Sequence, residues 1–431
     1  MSWLNHYKSF SQSRPWTARF LLTALTIIIL LSVLRVSLPF VIKQAATYWF
    51  ESWNVEASVG DVEISLFNGK FSLNDVSGKN KAGKGFSLGH FGVVWRWKSL
   101  FDRQLIVDQI KIRSLGVDAE FFDNGEMSIA GLEIKPTDAE VKIEDKPVQD
   151  KAAGIPWDVI VKKIAITDVE LCAKQFYDSN KLRLDYCIKL AALDWNGDAG
   201  FKSSMQTKIP DALPVYVQGK LSINGIVLLN NQLALSLLEI GSIDVEHINI
   251  ETPESINIDN INISRFSALQ RAVKTSPGDA QVIAFDQLNV GPLTLSKFSD
   301  LSLGTIELAG ASAYLLVNRD GRMEFAQWLP EKQEAAPAVQ NEEQQTKPFD
   351  FSFDKFVFVS KQHFTFTDES LKETFTVDVH NIDFRLTQLD SKAPEQNSYI
   401  VLFLSIGEHG SFKLDADLTP LSDRPSVKGR G

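Results

Sequence analysis

Residues 62–73 read VEISLFNGKFSL, and apolar and polar side chains alternate on both sides of Asn68-Gly69. This period of two is typical of a strand with one apolar face, and Asn-Gly is the strongest short signal for a β-hairpin. The same alternation recurs along the chain in LIVDQIKIRSLGVDAEFF (105–122), GKLSINGIVL (219–228), ESINIDNINI (254–263) and FVFVSKQHFTFTD (356–368). The sequence therefore predicts a mainly β protein built from amphipathic antiparallel sheets.

Other turn and helix signals are sparser. Asn124-Gly125 and Asp320-Gly321 are further hairpin signals. Helix is expected at 43–53, as the continuation of a preceding helix, and in short segments at 97–101, 267–274 and 325–329.

An internal repeat divides the chain. IKIRSLGVDAEFFDNGEMSIAGL, from Ile110, aligns without gaps with IELAGASAYLLVNRDGRMEFAQWL, from Ile306, at an offset of 196 residues. A polar linker follows each copy, at 135–155 and 331–347, and each linker ends at an aromatic segment that begins PWDVIV or PFDFSF. We expect β modules at 44–134, 156–330 and 348–431. The third resembles an incomplete copy of the second, so we expect the sequence to be a fragment or a truncated product.

The N-terminal region has the pattern of a membrane anchor. The chain of 431 residues has a net charge of −10, yet residues 1–50 contain five Lys or Arg and no acid, so the rest carries about −15. Residues 20–42, FLLTALTIIILLSVLRVSLPFVI, would span roughly 34 Å as a helix, enough to cross a hydrocarbon core. A cleaved signal peptide is the alternative, but no small-x-small site closely follows the apolar run.

The cations that precede the span set its orientation. By the positive-inside rule the basic tail, 1–19, is cytoplasmic and the bulk of the chain is exported, which in a two-membrane bacterium means the periplasm. The expected location is therefore the inner membrane, with a single pass.

The only cysteines are Cys172 and Cys187, in ELCAKQFYDSNKLRLDYCIKL. A two-residue turn at Ser179-Asn180 would place them directly opposite each other, and an oxidising compartment would let them bridge. In that register they form a hydrogen-bonded pair, whose wide spacing suits a disulfide less well. A disulfide and two unpaired thiols both remain open.

Catalytic and nucleotide-binding signals are weak. Residues 78–85, GKNKAGKG, approach a phosphate-binding loop, but Gly85 stands where that motif needs Ser or Thr, and the flanking segments alternate like strands. The six histidines show no metal-binding spacing, and no nucleophile motif occurs. The acidic exported part also lacks the basic footprint of nucleic-acid binding. We expect no enzyme, cofactor, metal, nucleotide or nucleic acid.

Several segments resemble the AsmA-like envelope protein family, which includes TamB and YhdP, and in particular its branch long labelled a domain of unknown function. They are the basic-flanked anchor, YWFESWNVEASVGDVEISLFNGKFSLNDVSGKN (48–80), WRWKSLFDRQLIVDQIKI (95–112) and RLDYCIKLAALDW (183–195). The resemblance implies an inner-membrane anchor and a long periplasmic β-sheet groove that passes phospholipid toward the outer membrane or supports its assembly. This chain is shorter than members of that branch usually are.

An apolar strand face must be covered by something. Either two sheets pack as sandwiches, or one elongated curled sheet leaves a groove whose partners are phospholipid acyl chains. The candidate groove-lining residues are Ile64, Leu66, Phe71, Leu73, Ile110, Ile112, Phe121, Ile256 and Ile258. The rival hypothesis is a non-transporting periplasmic scaffold whose partners are outer-membrane assembly proteins.

Overall fold

A computed structural model describes residues 15–65, 67–80, 83, 85–134, 157–177, 181–201, 215–252, 254–270, 281–328 and 349–430. Both predicted linkers, the first fourteen residues of the basic tail and the candidate lining residue Leu66 lie outside the described residues.

The chain begins with a long helix, α1 (Pro15–Glu51). It contains the segment predicted as an anchor, which stays a prediction. Among the described residues, no helix is both long and apolar enough to span a membrane. Near the end of α1, Lys43 Nζ donates to the Gly60 carbonyl at 3.2 Å, and the Phe50 ring contacts Phe86 with centroids 5.0 Å apart. The last turns of the helix therefore rest on the start of the sheet.

The other predicted helices are short. Helix α2 (Trp97–Leu100) and a 3₁₀ helix (Glu324–Trp328) lie where helix was expected. The helix predicted at 267–274 was wrong over 267–270, which extend a strand that is paired on both sides, and 271–274 lie outside the described residues.

Twenty-two strands form most of the rest of the described chain. They are β1 (Glu56–Val59), β2 (Val62–Ser65), β3 (Lys70–Lys79), β4 (Gly85–Trp95), β5 (Gln104–Phe121), β6 (Met127–Ile129), β7 (Leu132–Ile134), β8 (Asp158–Tyr177), β9 (Lys181–Phe201), β10 (Val215–Asn230), β11 (Leu235–Thr252), β12 (Ser255–Ile258), β13 (Asn260–Gln270), β14 (Gln281–Ser296), β15 (Asp300–Ala309), β16 (Ser312–Val317), β17 (Asp350–Ser360), β18 (Phe364–Asp368), β19 (Phe375–Asp390), β20 (Ser398–Ile406), β21 (Gly410–Leu418) and β22 (Val427–Arg430). The prediction of a mainly β protein is confirmed.

All of these strands belong to one sheet. Strands that are neighbours in the sheet are also close to one another in chain order. The pairing runs β3–β4–β5–β8–β9–β10–β11–β13–β14–β15–β17–β19–β20–β21–β22, with β1 and β2 both beside β3. The hairpin predicted at Asn68-Gly69 joins β2 to β3. The ends of GKNKAGKG belong to the paired strands β3 and β4, with Lys79 opposite Gly85, as expected of a segment that forms a hairpin.

The prediction of purely antiparallel modules was wrong. Three pairs are parallel: β5 with β8, β15 with β17, and β16 with β18. The first two of these pairs each enclose one of the polar linkers. A parallel pair needs a connection of a dozen residues or more to return the chain to the same end of the sheet, so each linker has the length of such a return.

The two copies of the repeat share an order of features, although strands β6 and β7 of the first copy correspond to a single bridge and a 3₁₀ helix in the second. Each is a strand, a tight turn at Gly125 or Gly321, a short antiparallel return at Met127 or Met323, and then a parallel neighbour beyond the linker. These two glycines have φ values of 80° and 78°, a left-handed conformation that other residues adopt with strain.

A line of kinks crosses the strands. Residues with positive φ stand at matching positions of the ladder, within strands or directly after them, and the line comprises Asp75, Ser114, Asp168, Gly225, Arg265 and Gly310. Ser114 and Asp168 are adjacent across the parallel pair, and the Ser114 hydroxyl donates to the Asp168 carboxylate at 2.8 Å.

The apolar pattern shifts by one residue at this line. Next to Ser114 the apolar positions are Ile112 and Leu115, three apart instead of two, and on β10 Ile223 and Ile226 flank Gly225 in the same way. A single left-handed residue shifts the alternation as a bulge does. We infer that the kinks keep apolar side chains on one face while each strand bends.

Candidate functional site

Two unbroken rows of apolar residues run across the sheet, perpendicular to the strands. In each row every residue is directly paired with the next, from β3 to β21. The Leu73 row consists of Leu73, Phe91, Ile112, Ile166, Leu193, Ile223, Ile243, Ile263, Leu288, Leu308, Phe358, Phe384, Leu402 and Leu414. The Phe71 row consists of Phe71, Val93, Ile110, Ile164, Trp195, Leu221, Val245, Ile261, Val290, Ile306, Phe356, Leu386, Ile400 and Ala416.

The rows are long compared with a small-molecule site. Fourteen strands at about 4.8 Å spacing give a path of roughly 60 Å. We call the face that carries both rows the apolar face. Equivalent residues of the two repeat copies lie on this face. Ile110 and Ile306, which correspond at the offset of 196, both belong to the Phe71 row.

Burial shows how the apolar face is covered. Every residue of the Leu73 row is half-buried, and in the Phe71 row only Trp195 and Ala416 are buried. In a sandwich the inward-facing side chains of two sheets interdigitate and lose nearly all contact with water. Contacts with neighbouring strands alone are enough to leave a whole row half-buried. No described element therefore forms a second layer over the Leu73 row.

Aromatic contacts agree with a single layer. Phe71 contacts Phe91, Phe266 stacks on Phe285, and Phe356 contacts Phe384, with centroids 6.4, 4.6 and 5.6 Å apart. Each pair joins neighbouring strands of the same sheet. These contacts stabilise the sheet but do not cover the apolar face.

The structure brings most of the predicted lining residues onto this surface. Phe71 and Ile110 belong to the Phe71 row, and Leu73 and Ile112 to the Leu73 row, while Ile64 pairs directly with Phe71. Ile256 and Ile258 pair with Leu295 and Leu293, outside both rows. Phe121 is more exposed than the others and lies near the end of β5.

The opposite face of the central strands is polar. Here Lys162 pairs with Asp198 at 3.1 Å, and Ser222 donates to Asp244 at 2.6 Å. A cleft of about 440 Å³ on this side is lined by Asp194, Asn196, Lys220, Leu221, Ser222, Asp244, Val245, Glu246, Asn260, Asn262 and Ser264. Nine of these eleven lining residues are polar or charged, which suits water better than acyl chains.

The two cysteines are bonded to each other on β8 and β9. Their predicted register is present, since Cys172 pairs directly with Cys187. Their Cα atoms are 4.1 Å apart, which is typical of the narrow pair and not of the wide pair predicted. Residues 178–180, with the turn predicted at Ser179-Asn180, lie outside the described residues, but Tyr177 pairs with Lys181 and not with Leu182 as that turn requires. A bulge between Gln175 and Phe176 then restores the predicted register and changes which pairs are narrow.

The histidines are less scattered than the sequence suggested. His363, just before β18, and His380, on β19, both direct Nδ1 at the carboxylate of Asp378, with the shorter distances to Oδ2 being 2.8 and 3.2 Å. Partial burial alone would raise the pKa of Asp378, but hydrogen bonds from His363, Thr365 and His380 and the charge of His363 outweigh it and hold the pKa below its usual value. The Asp-x-His spacing on an alternating strand was the signal that could have found this cluster.

Comparison with protein-family models and with curated proteins finds no match.

Proposed function

We propose that this chain is an inner-membrane-anchored periplasmic protein of outer-membrane biogenesis, which binds or conducts phospholipid along its apolar face. The observation that carries the proposal is the Leu73 row, an unbroken and half-buried apolar path across fourteen strands. Monomeric soluble proteins rarely leave contiguous apolar surface of such extent to water, and surfaces that do are binding sites or aggregation hazards.

Acyl chains fit this path by their chemistry. They present only apolar surface, which gains about 25 cal/mol for each Å² removed from water. They also need no fixed hydrogen-bond partners, so a row of Ile, Leu and Phe can hold a chain at any point along its length. A uniform path of this kind suits a ligand that slides better than one that docks in a single pose.

Two further features support the proposed location. The end of α1 contacts the sheet through Phe50 and Phe86. A lipid acyl chain that leaves a bilayer beside the helix would therefore meet the apolar face directly. The disulfide between Cys172 and Cys187 is of a kind that persists in exported, oxidising compartments.

Site-specific photo-cross-linking in living cells tests the proposal. A photoreactive amino acid at Leu193, in the Leu73 row, is expected to form adducts with phospholipid, because that position is half-buried and roughly 20 Å along the sheet from β3. The matched control is Asp194, the adjacent and exposed residue, which should give no lipid adduct.

The same experiment separates the rival function. If Leu193 cross-links to envelope proteins and not to lipid, the chain is a scaffold whose apolar face binds protein partners. Equal lipid labelling at Leu193 and Asp194 would also contradict the conduit, since it would show only proximity to a membrane.

A further inference from the structure

The cluster of His363, Asp378 and His380 lies directly before β18 and on β19, away from the apolar rows. Phe364 pairs with Val379, so His363, which precedes Phe364, and His380, which follows Val379, lie opposite each other. Asp378 and His380 are two residues apart on β19 and therefore project from the same face. Three side chains with metal-binding atoms thus converge from two neighbouring strands.

The distances are near those between the ligand atoms of a metal site. Zinc binds imidazole nitrogen and carboxylate oxygen at about 2.0–2.2 Å, so neighbouring ligand atoms of a tetrahedral site are about 3.3 Å apart. The two Nδ1–Oδ2 distances in the cluster are 2.8 and 3.2 Å, and the candidate ligand atoms all lie within 4.8 Å of one another. Small side-chain rotations would admit an ion in place of the shared hydrogen bonds.

The surroundings also suit an ion. The Thr365 hydroxyl donates to Asp378 Oδ1 at 3.1 Å, which orients the carboxylate. Such outer hydrogen bonds commonly fix metal ligands. Oδ2 lies near both histidines, and His363 Nδ1 is also 3.0 Å from Oδ1. The side chains of Asp378 and His380 are 28 and 23% exposed and that of His363 63%, so the site is open to entry from solvent.

We propose that His363, Asp378 and His380 form a binding site for a divalent transition-metal ion of the zinc type, with two nitrogen ligands, one oxygen ligand and a fourth position open to water. Two imidazoles with one carboxylate favour such an ion over calcium or magnesium, which prefer oxygen ligands alone. The site would join the segment before β18 to β19. It does not depend on the proposed lipid function.

Equilibrium dialysis of the untagged full-length protein against zinc sulfate, after removal of metal with a chelator, tests the site. We expect one zinc ion per chain, and binding at least tenfold weaker in His363→Ala and in His380→Ala. The matched control is His247→Ala, since His247 contacts the carboxylate of Asp259 at 3.1 Å and belongs to no cluster of metal-binding side chains among the described residues. That variant should bind zinc as the wild type does.

A second readout distinguishes a site from a folding effect. Cobalt should give the visible absorption of a four-coordinate ion in the wild type and in His247→Ala, and none in Asp378→Asn, whose far-ultraviolet circular dichroism should be unchanged. If zinc is not retained, or if it is retained equally by His363→Ala and His380→Ala, the cluster is a hydrogen-bonded pair of histidines on one carboxylate and the proposal is wrong.

Discussion

Replacing Ile263 by Asp should remove most of the phospholipid that co-purifies with the protein, by tenfold or more. Ile263 lies at the middle of the Leu73 row, paired with Ile243 on one side and Leu288 on the other. A carboxylate there would have to lose its water wherever an acyl chain passed, at a cost of several kcal/mol. A single charge should therefore interrupt a path that depends on continuity.

The control for this substitution is Ser264→Asp. Ser264 is the next residue of β13, is also half-buried, and lines the polar cleft on the opposite face. Both variants add the same charge to the same strand, so a general loss of stability would affect them alike. Native mass spectrometry of the two proteins and the wild type counts the bound lipid, and equal losses in both variants would contradict a lipid path along the Leu73 row.

Reduction of the disulfide should loosen the β8–β9 hairpin strongly. The bridge closes a loop with a sequence separation of 15 residues, for which chain-entropy estimates give about 3 kcal/mol of stabilisation. If opening of this hairpin becomes easier by that amount, its amides should exchange with solvent roughly a hundredfold faster.

Hydrogen exchange measured by mass spectrometry checks this, with and without reductant. Peptides from β13 and β14, which lie beyond β9, β10 and β11 in the sheet, serve as the internal reference. A double variant, Cys172→Ser with Cys187→Ser, should behave like the reduced protein and show no response to reductant. Unchanged exchange in the hairpin after reduction would show that strand pairing alone holds it.

Local patterns predicted much of the fold. Alternation of apolar and polar residues located most strands, and Asn-Gly and Asp-Gly located turns, because both signals act over a few residues. The pairing of Cys172 with Cys187 was predicted correctly, but not for the predicted reason, because Tyr177 pairs with Lys181 and a bulge then restores the register. Strand direction was not, since the polar linkers carry no local sign that the next strand runs parallel to the last.

The kinks were missed for a physical reason. Positive φ is expected of glycine, but here it occurs at Asp75, Ser114, Asp168 and Arg265, where the neighbouring strands impose it. The sequence did contain a sign, namely apolar pairs spaced by two that repeat every five residues, as in Ile283, Phe285, Leu288, Val290, Leu293 and Leu295 of β14. With that period, the alternation of apolar and polar residues in β14 shifts by one residue twice along the strand.

The apolar rows could be suggested from the sequence, but their continuity could not. Each strand showed an apolar side, yet the rows exist only because the thirteen registers between fourteen strands agree, and register depends on bulges and crossovers between distant segments. The histidine cluster has the same origin, because His363 and Asp378 are 15 residues apart and meet only through the pairing of β18 with β19.

Electron cryo-microscopy of the full-length protein purified with native lipid tests the lipid path most directly. We expect elongated density in contact with Leu73, Ile263 and Leu402, running perpendicular to the strands along the half-buried Leu73 row. The contrary result is a map in which protein side chains from a second layer fill that face and leave no space for an acyl chain.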